Sequence, residues 1–148
     1  RADHYFNLFN QSNGIPYNLT LSPKTTVKAG LGNPDPVTDG TPVTMWSAQG
    51  NTNQWLGLDF GETRTIHRYV IRHAGDGGMS PDLNTRAFTV RASSDGKTWK
   101  NVDTITNNTR NVTDVEFPPV SARYVKITVQ HPCKDGTARI AEVEIFGR

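Results

Sequence analysis

The carboxylates are the first residues in this chain that could do chemistry. Asp35, Asp39, Asp76, Asp82, Glu142 and Glu144 fall in or beside segments rich in turn formers. Hydrolysis needs two carboxylates set across a scissile bond, or a nucleophile beside its base. None of these residues belongs to a G-x-S-x-G or H-E-x-x-H motif, and a carboxylate in a turn usually accepts bonds from its own backbone. Catalysis is therefore not expected. The four histidines, His4, His67, His73 and His131, stand at no metal-ligand spacing. The single cysteine, Cys133, has no partner for an internal disulfide and no companions for a zinc site.

One stretch offers more. Val37-Thr38-Asp39-Gly40-Thr41-Pro42-Val43-Thr44-Met45-Trp46 gathers a carboxylate, a tight glycine turn and a threonine. Such a loop can wrap a carboxylate and backbone carbonyls round a hard cation, and calcium takes about six to eight oxygen ligands. The alternative is a plain Asp-Gly turn.

The elements that must position these groups are strands. Apolar residues alternate, as in half-buried strands: Leu56, Leu58 and Phe60; Phe88, Val90 and Ala92; Val125, Ile127 and Val129. Further strands are expected around Val27 and over 66–73, 99–105, 112–117 and 141–146, which makes about eight. Asp39-Gly40, Asp95-Gly96 and Asp135-Gly136 supply turns, and Pro118-Pro119 is expected to end a strand. Helical stripes are missing, so the fold class is all-β, a β-sandwich. Trp55, Trp99, Phe60, Phe88, Tyr69 and Tyr124 are expected in its core. Two long segments, 30–53 and 74–86, are rich in Gly, Pro, Asn, Asp and Ser; long loops on a rigid scaffold tend to carry function.

Composition narrows the classes. A chain of 148 residues is one domain's worth, and 16 Lys plus Arg against 14 Asp plus Glu leave a net charge of +2. That is too weak and scattered for a nucleic-acid surface. No apolar run approaches the roughly 20 residues that span a bilayer, and Arg1-Ala2-Asp3-His4 lacks the features of a signal peptide. Four Asn-x-Ser/Thr sequons, at Asn10, Asn18, Asn107 and Asn111, would matter only in a eukaryotic secretory route.

Five ordered landmarks carry a resemblance: Val37 to Trp46, Gln54-Trp55-Leu56-Gly57-Leu58-Asp59-Phe60-Gly61, Arg91 to Trp99, Ala122-Arg123-Tyr124-Val125-Lys126-Ile127, and Ala141-Glu142-Val143-Glu144-Ile145-Phe146-Gly147. In this order they resemble the coagulation factor V/VIII type C (discoidin-like) family, and within it the bacterial family 32 carbohydrate-binding modules. The resemblance implies a β-sandwich jelly roll of about eight main antiparallel strands, no catalysis, and sugar binding through loops at one end. It implies one module over residues 1–148, cut from a larger multimodular protein. It also implies a structural Ca²⁺ held by the carbonyl of Pro36, the Asp39 carboxylate, the carbonyl of Thr41, Thr44 by hydroxyl and carbonyl, the carbonyl of Ala141, and the Glu142 carboxylate.

For sugar, Arg72-His73-Ala74-Gly75-Asp76 and Asn84-Thr85-Arg86 resemble the H-A-G…N-T-R segment of a subset of these modules. Arg72 and Asn84 stand near the family's sugar-contacting Arg and Asn, with His73, Asp76 and Arg86 completing a polar rim. Trp46 and Ser47 adjoin it. Galactose-binding relatives carry a His and a Trp where this chain has Ser47 and Gly50, so galactose-type contacts are absent, and both amino and acidic sugars stay open. Each residue also has a plainer role available: Arg72 a strand charge, His73 and Trp46 interior residues, Asn84 a turn former, Arg86 a partner for Asp82. The expected partners are a saccharide end and the catalytic domain of a parent enzyme, outside a bacterial cell, with the module a monomer and no nucleic acid or membrane involved. The other class is a discoidin-like adhesion module binding phospholipid or protein. The animal members' apolar loop spikes and terminal disulfide are missing here, although the loops carry Met45, Met79 and Leu83.

Overall fold

The computed structural model describes residues 14–50 and 53–148; the opening Arg1-Ala2-Asp3-His4 and the sequon at Asn10 lie outside them. Among the described residues the chain forms nine strands: β1 (Tyr17–Asn18), β2 (Thr26–Ala29), β3 (Trp46–Ala48), β4 (Gln54–Arg72), β5 (Ala87–Ser93), β6 (Lys100–Ile105), β7 (Val112–His131), β8 (Ala138–Ile140) and β9 (Glu142–Gly147). No helix among them is long and apolar enough to cross a membrane. All pairings are antiparallel, in the order β1-β9-β4-β7-β5-β6 with β2 on β4, while β3 and β8 form a separate pair.

Two long strands build the sandwich. The sequence predicts 54–60 and 66–73 as separate strands, and likewise 112–117 and 124–130; the structure fuses each pair into β4 and β7. The first half of β4 pairs with β2 and the second half of β7, and its second half pairs with β9 and the first half of β7. The fold-over occurs where the β4–β7 register shifts between Asp59 and Arg64. Gly61 sits there at φ +81°, a conformation costly for any residue with a Cβ, and its amide donates to Asp59 Oδ1 at 2.7 Å. Pro118-Pro119 does not end a strand as expected. The pair lies inside β7 where the register jumps from Ile66–Val120 to Arg68–Glu116, an interruption that needs no N–H from either ring.

Inward side chains of both halves meet in one core. Leu56, Leu58 and Phe60 from the first half of β4 join Tyr69 and Ile71 from its second, with Phe88, Val90, Val125, Ile127, Val143 and Ile145. The same alternation turns Trp55, Gly57 and Asp59 outward. Trp55, Trp99 and Tyr124, expected in the core, are only half-buried and line a depression on the outer sheet face. Phe60, Phe88 and Tyr69 are interior as expected. The Tyr69 hydroxyl donates to Asp103 Oδ2 at 2.6 Å, and burial with that carboxylate pushes its pKa up.

Candidate functional site

The fold-over of β4 and β7 sends four connections to one end of the sandwich: 30–53, 73–86, 106–111 and 132–137. Backbone bonds stitch them together. Asn108 N–H donates to Arg86 O at 2.7 Å, Arg86 N–H to His131 O at 3.1 Å, His73 N–H to Asn111 O at 2.9 Å, and Ala141 N–H to Arg72 O at 2.8 Å. Thr85 Oγ1 reaches Arg139 O at 2.8 Å. Gly77 leaves room for the neighbouring loop, since a Cβ there would lie 2.2 Å from Pro42 O.

Hydrogen bonds join several of the expected cation ligands. A 3₁₀ turn over Asp35–Thr38 ends at Asp39, whose N–H donates to Pro36 O at 3.3 Å. Asp39 Oδ1 accepts from Thr41 N–H at 3.0 Å, and Oδ2 accepts from the Thr44 hydroxyl. Gly40, at φ +85°, turns its N–H onto Glu142 Oε2 at 2.8 Å, so the loop meets the start of β9 across 102 residues of sequence. Glu142 is 2% exposed. Among the described residues no three His, Cys, Asp or Glu side chains cluster as a metal site. A cation here would rest on two carboxylates and neutral oxygens, a set that suits a hard ion and excludes a soft one.

The expected sugar contacts divide into two groups. Trp46 is fully buried, with Nε1 donating to Leu31 O at 2.7 Å. His73 is likewise buried, with Nε2 against Thr113 Oγ1 at 2.8 Å, and burial pulls its pKa down to about 4. Asn84 is 2% exposed; its Oδ1 accepts from Gly75 N–H at 2.7 Å, and its Nδ2 donates to Arg110 O at 3.2 Å and Asn111 Oδ1 at 2.9 Å. In this structure all three side chains face the interior, so they position the loops and are not surface contacts. A residue whose amide or ring can satisfy several backbone groups is the one a tight loop buries.

Arg72, Asp76, Arg86 and Ser47 do reach the surface. Arg72 is clamped, with Nε donating to Glu144 Oε2 at 2.7 Å and a terminal nitrogen to Asp76 Oδ2 at 3.4 Å. Burial works against its charge, but Glu144 and Asp76 prevail and hold its pKa above the ordinary arginine value. Arg86 bonds Asn107 Oδ1 at 2.6 Å, in place of the expected ion pair with Asp82. Ser47 pairs with Arg139 across β3 and β8.

A family model for the F5/8 type C domain matches residues 22–144. The chain belongs to that family. No curated protein matches it. Among solved structures, this F5/8 type C domain is similar to the family 32 module of Clostridium perfringens NanJ in complex with galactose, at 22% identity and a TM-score of 0.76, covering 89% of this chain and 99% of that one. It is similar to the family 32 module of Streptococcus pneumoniae EndoD, at 22% identity and a TM-score of 0.75, covering 86% and 99%. A third neighbour is the family 32 module of AlyQ in complex with 4,5-unsaturated mannuronic acid, at 26% identity and a TM-score of 0.70, covering 82% and 93%. The sandwich fold of these modules is the fold of this domain.

The structure adds a polar cleft of about 520 Å³ to the domain's loop end, lined by Asp82, Arg86, Asn108, Thr109, His131 and Lys134. The sequence puts Arg86 on a polar rim; the cleft joins it to the end of β7, to the connection after it and to the 106–111 connection, stretches far apart in sequence. Beside the cleft, Arg139 is committed to Asp135, at 2.7 and 3.0 Å, and Asp135 also accepts from the Cys133 thiol. Arg139 holds the Asp135 carboxyl below the usual range, while burial pushes the Cys133 thiol up and disfavours its thiolate.

Proposed function

We propose that this F5/8 type C domain is a non-catalytic carbohydrate-binding module that takes a saccharide end in the loop-end cleft and targets an appended glycan-active enzyme outside a bacterial cell. The observation that carries the reading is the cleft itself. Donors and acceptors of both signs, Arg86, His131, Lys134, Asp82 and Thr109, converge on one concavity whose floor is fixed by backbone bonds. Hydroxyl-rich ligands are recognised by such convergent polar groups. The neighbours solved with galactose and with unsaturated mannuronic acid support a saccharide as ligand. Arg72 with Asp76, and Ser47, border the same end and extend the contact surface. A glycan array followed by titration calorimetry tests the reading. Arg86→Ala should weaken binding of the best array ligand at least about tenfold, a loss of one charged hydrogen bond; undiminished binding moves the site elsewhere.

The structural Ca²⁺ belongs to the same proposal. Asp39, Thr44 and Glu142 would supply side-chain oxygens where the loop meets β9, and the carbonyls of Pro36, Thr41 and Ala141 would complete the set. The ion would tie the 34–45 loop to β9 and do no chemistry on the sugar.

One observation favours a second reading, adhesion to phospholipid. Leu31, Val43 and Met79 are 53%, 69% and 39% exposed on loops of this end. Pelleting with phosphatidylserine vesicles separates the two: vesicle binding without glycan binding would reverse the order.

A further inference from the structure

The outer face of the layer made by β2, β4, β7 and β5 carries a feature that the loop end does not use. Register aligns Lys28 with Gly57, Gly57 with Lys126, and Lys126 with Arg91. Residues directly opposite in an antiparallel ladder share a face. Leu56, Leu58, Val90, Ala92, Val125 and Ile127 take the buried side, so this row of cations faces solvent. Adjacent strands are about 4.8 Å apart, which sets Lys28 and Lys126 about 10 Å apart across Gly57.

Gly57 gives the row a floor without a side chain, in a depression of about 280 Å³ walled by Trp55 on one side and by Trp99 and Tyr124 on the other. The Trp55 indole lies across the sheet. A Cβ on Gly30 would meet its Nε1 at 2.7 Å, and one on Gly57 its Cζ3 at 3.2 Å, so both ends of the ring rest on glycine backbone. Lys126 Nζ stands 4.9 Å from the ring centroid. Among the described residues neither Lys28, Arg91 nor Lys126 enters an ion pair. The one carboxylate in the depression, Asp59, is held by the Arg123 guanidinium at 2.9 and 3.2 Å, which also keeps its pKa low.

A line of unpaired cations between aromatic walls selects its occupant. A lipid surface would want exposed aliphatic side chains, and none of the exposed ones among the described residues, Ile15, Leu31, Val43 and Met79, lines this depression. A protein interface would have to desolvate the cations, and interface centres are depleted of charge. A chain of acidic sugars satisfies both features: its C–H faces pack on indole and phenol rings, and its repeated anions meet the ammonium groups.

We propose that this sheet face is a second glycan site, for an anionic polysaccharide, separate from the loop end. Affinity electrophoresis through polygalacturonate, with dextran as the uncharged control and single-stranded DNA as the non-sugar polyanion, tests it on the whole chain. Polygalacturonate should retard the wild type and Arg86→Ala equally, dextran should not, and DNA should bind at least tenfold more weakly. The double variant Lys28→Gln/Lys126→Gln should lose at least tenfold in affinity while keeping the wild-type circular dichroism spectrum. Trp55 and Trp99 are the only half-exposed tryptophans, since Trp46 is fully buried, so the polymer should also shift the fluorescence emission. No retardation, no emission shift, equal binding of DNA, or loss of binding in Arg86→Ala but not in the lysine variant would each overturn the proposal. Because Arg86→Ala reports the cleft and the lysine pair reports the sheet face, failure of one site is read apart from failure of the other.

Discussion

The loop end and the outer sheet face present polar groups in opposite ways. At the loop end they are largely spent on one another: Asn84 serves Gly75, Arg110 and Asn111, Arg72 is clamped by Glu144 and Asp76, and Arg139 by Asp135. On the sheet face, Lys28, Arg91 and Lys126 are held in register by the backbone ladder, and among the described residues their charges enter no ion pair. Irregular backbone needs side chains to satisfy it, whereas a ladder satisfies itself and leaves its side chains available. Substitution should therefore be costly at the first region and nearly silent in stability at the second.

The largest effect is expected at Asn84. Asn84→Ala strands the part-buried Gly75 N–H and removes the bond to Asn111 Oδ1, while the Arg110 carbonyl keeps its bond from Asn108, and should lower the unfolding free energy by about 3–4 kcal/mol in urea titration. Loop-end binding should fall with it, while polygalacturonate retardation persists; loss of both together would erase the contrast.

Acid should act next, through His73. Its pKa is pulled from 6.5 to about 4 by burial, so the unfolded chain takes up the proton first. Stability from this group is complete above pH 6.5 and is lost as pH falls toward 4, by about 3 kcal/mol at roughly 1.4 kcal/mol per unit. Urea midpoints of the wild type and His73→Gln, compared at pH 7 and pH 4, isolate this share; parallel profiles would show that His73 is not the group responsible.

Chelation sharpens the contrast further. At a hundredfold excess over Kd a bound ion adds about 2.7 kcal/mol. At about 2–4 °C per kcal/mol for a domain of this size, removing calcium with EGTA should lower Tm by about 5–10 °C. Asp39→Ala should melt at the chelated temperature with or without the ion, and a wild-type Tm insensitive to EGTA would leave the loop–β9 junction to its hydrogen bonds alone.

The smallest effect is expected on the sheet face. Arg123→Ala breaks a half-exposed pair with Asp59 and should cost less than about 1 kcal/mol in the same urea titration.

Much of this was legible in the residues. The alternation at Leu56, Leu58 and Phe60 identified a strand, and the same alternation places Trp55 and Asp59 on the opposite face; ring size suggested the core for Trp55, but the period-two pattern is the stronger guide. Asp39 and Thr44 could be named because one short loop carries them, whereas Glu142 enters as a ligand only through the family resemblance; the structure bonds Thr44 to Asp39 and Gly40 to Glu142. His73 and Asn84 were named for the surface and lie inside, because a sequence shows a polar side chain's capacity and not which backbone groups it must serve. The continuity of β4 and β7 was hidden by Gly61 and Pro118-Pro119, which interrupt the pattern of the strands without interrupting the strands.

The bond from Gly40 to Glu142 closes a span of 102 residues, and Tyr17 pairs with Gly147 near the other end of the described chain. Contacts this distant in sequence are costly to form early and mark a fold assembled slowly. β9 must dock before the loop end exists, so a ligand of that junction meets only the finished domain. Such a ligand leaves the folding rate unchanged and slows unfolding, which would make the junction a determinant of the domain's lifetime once folded.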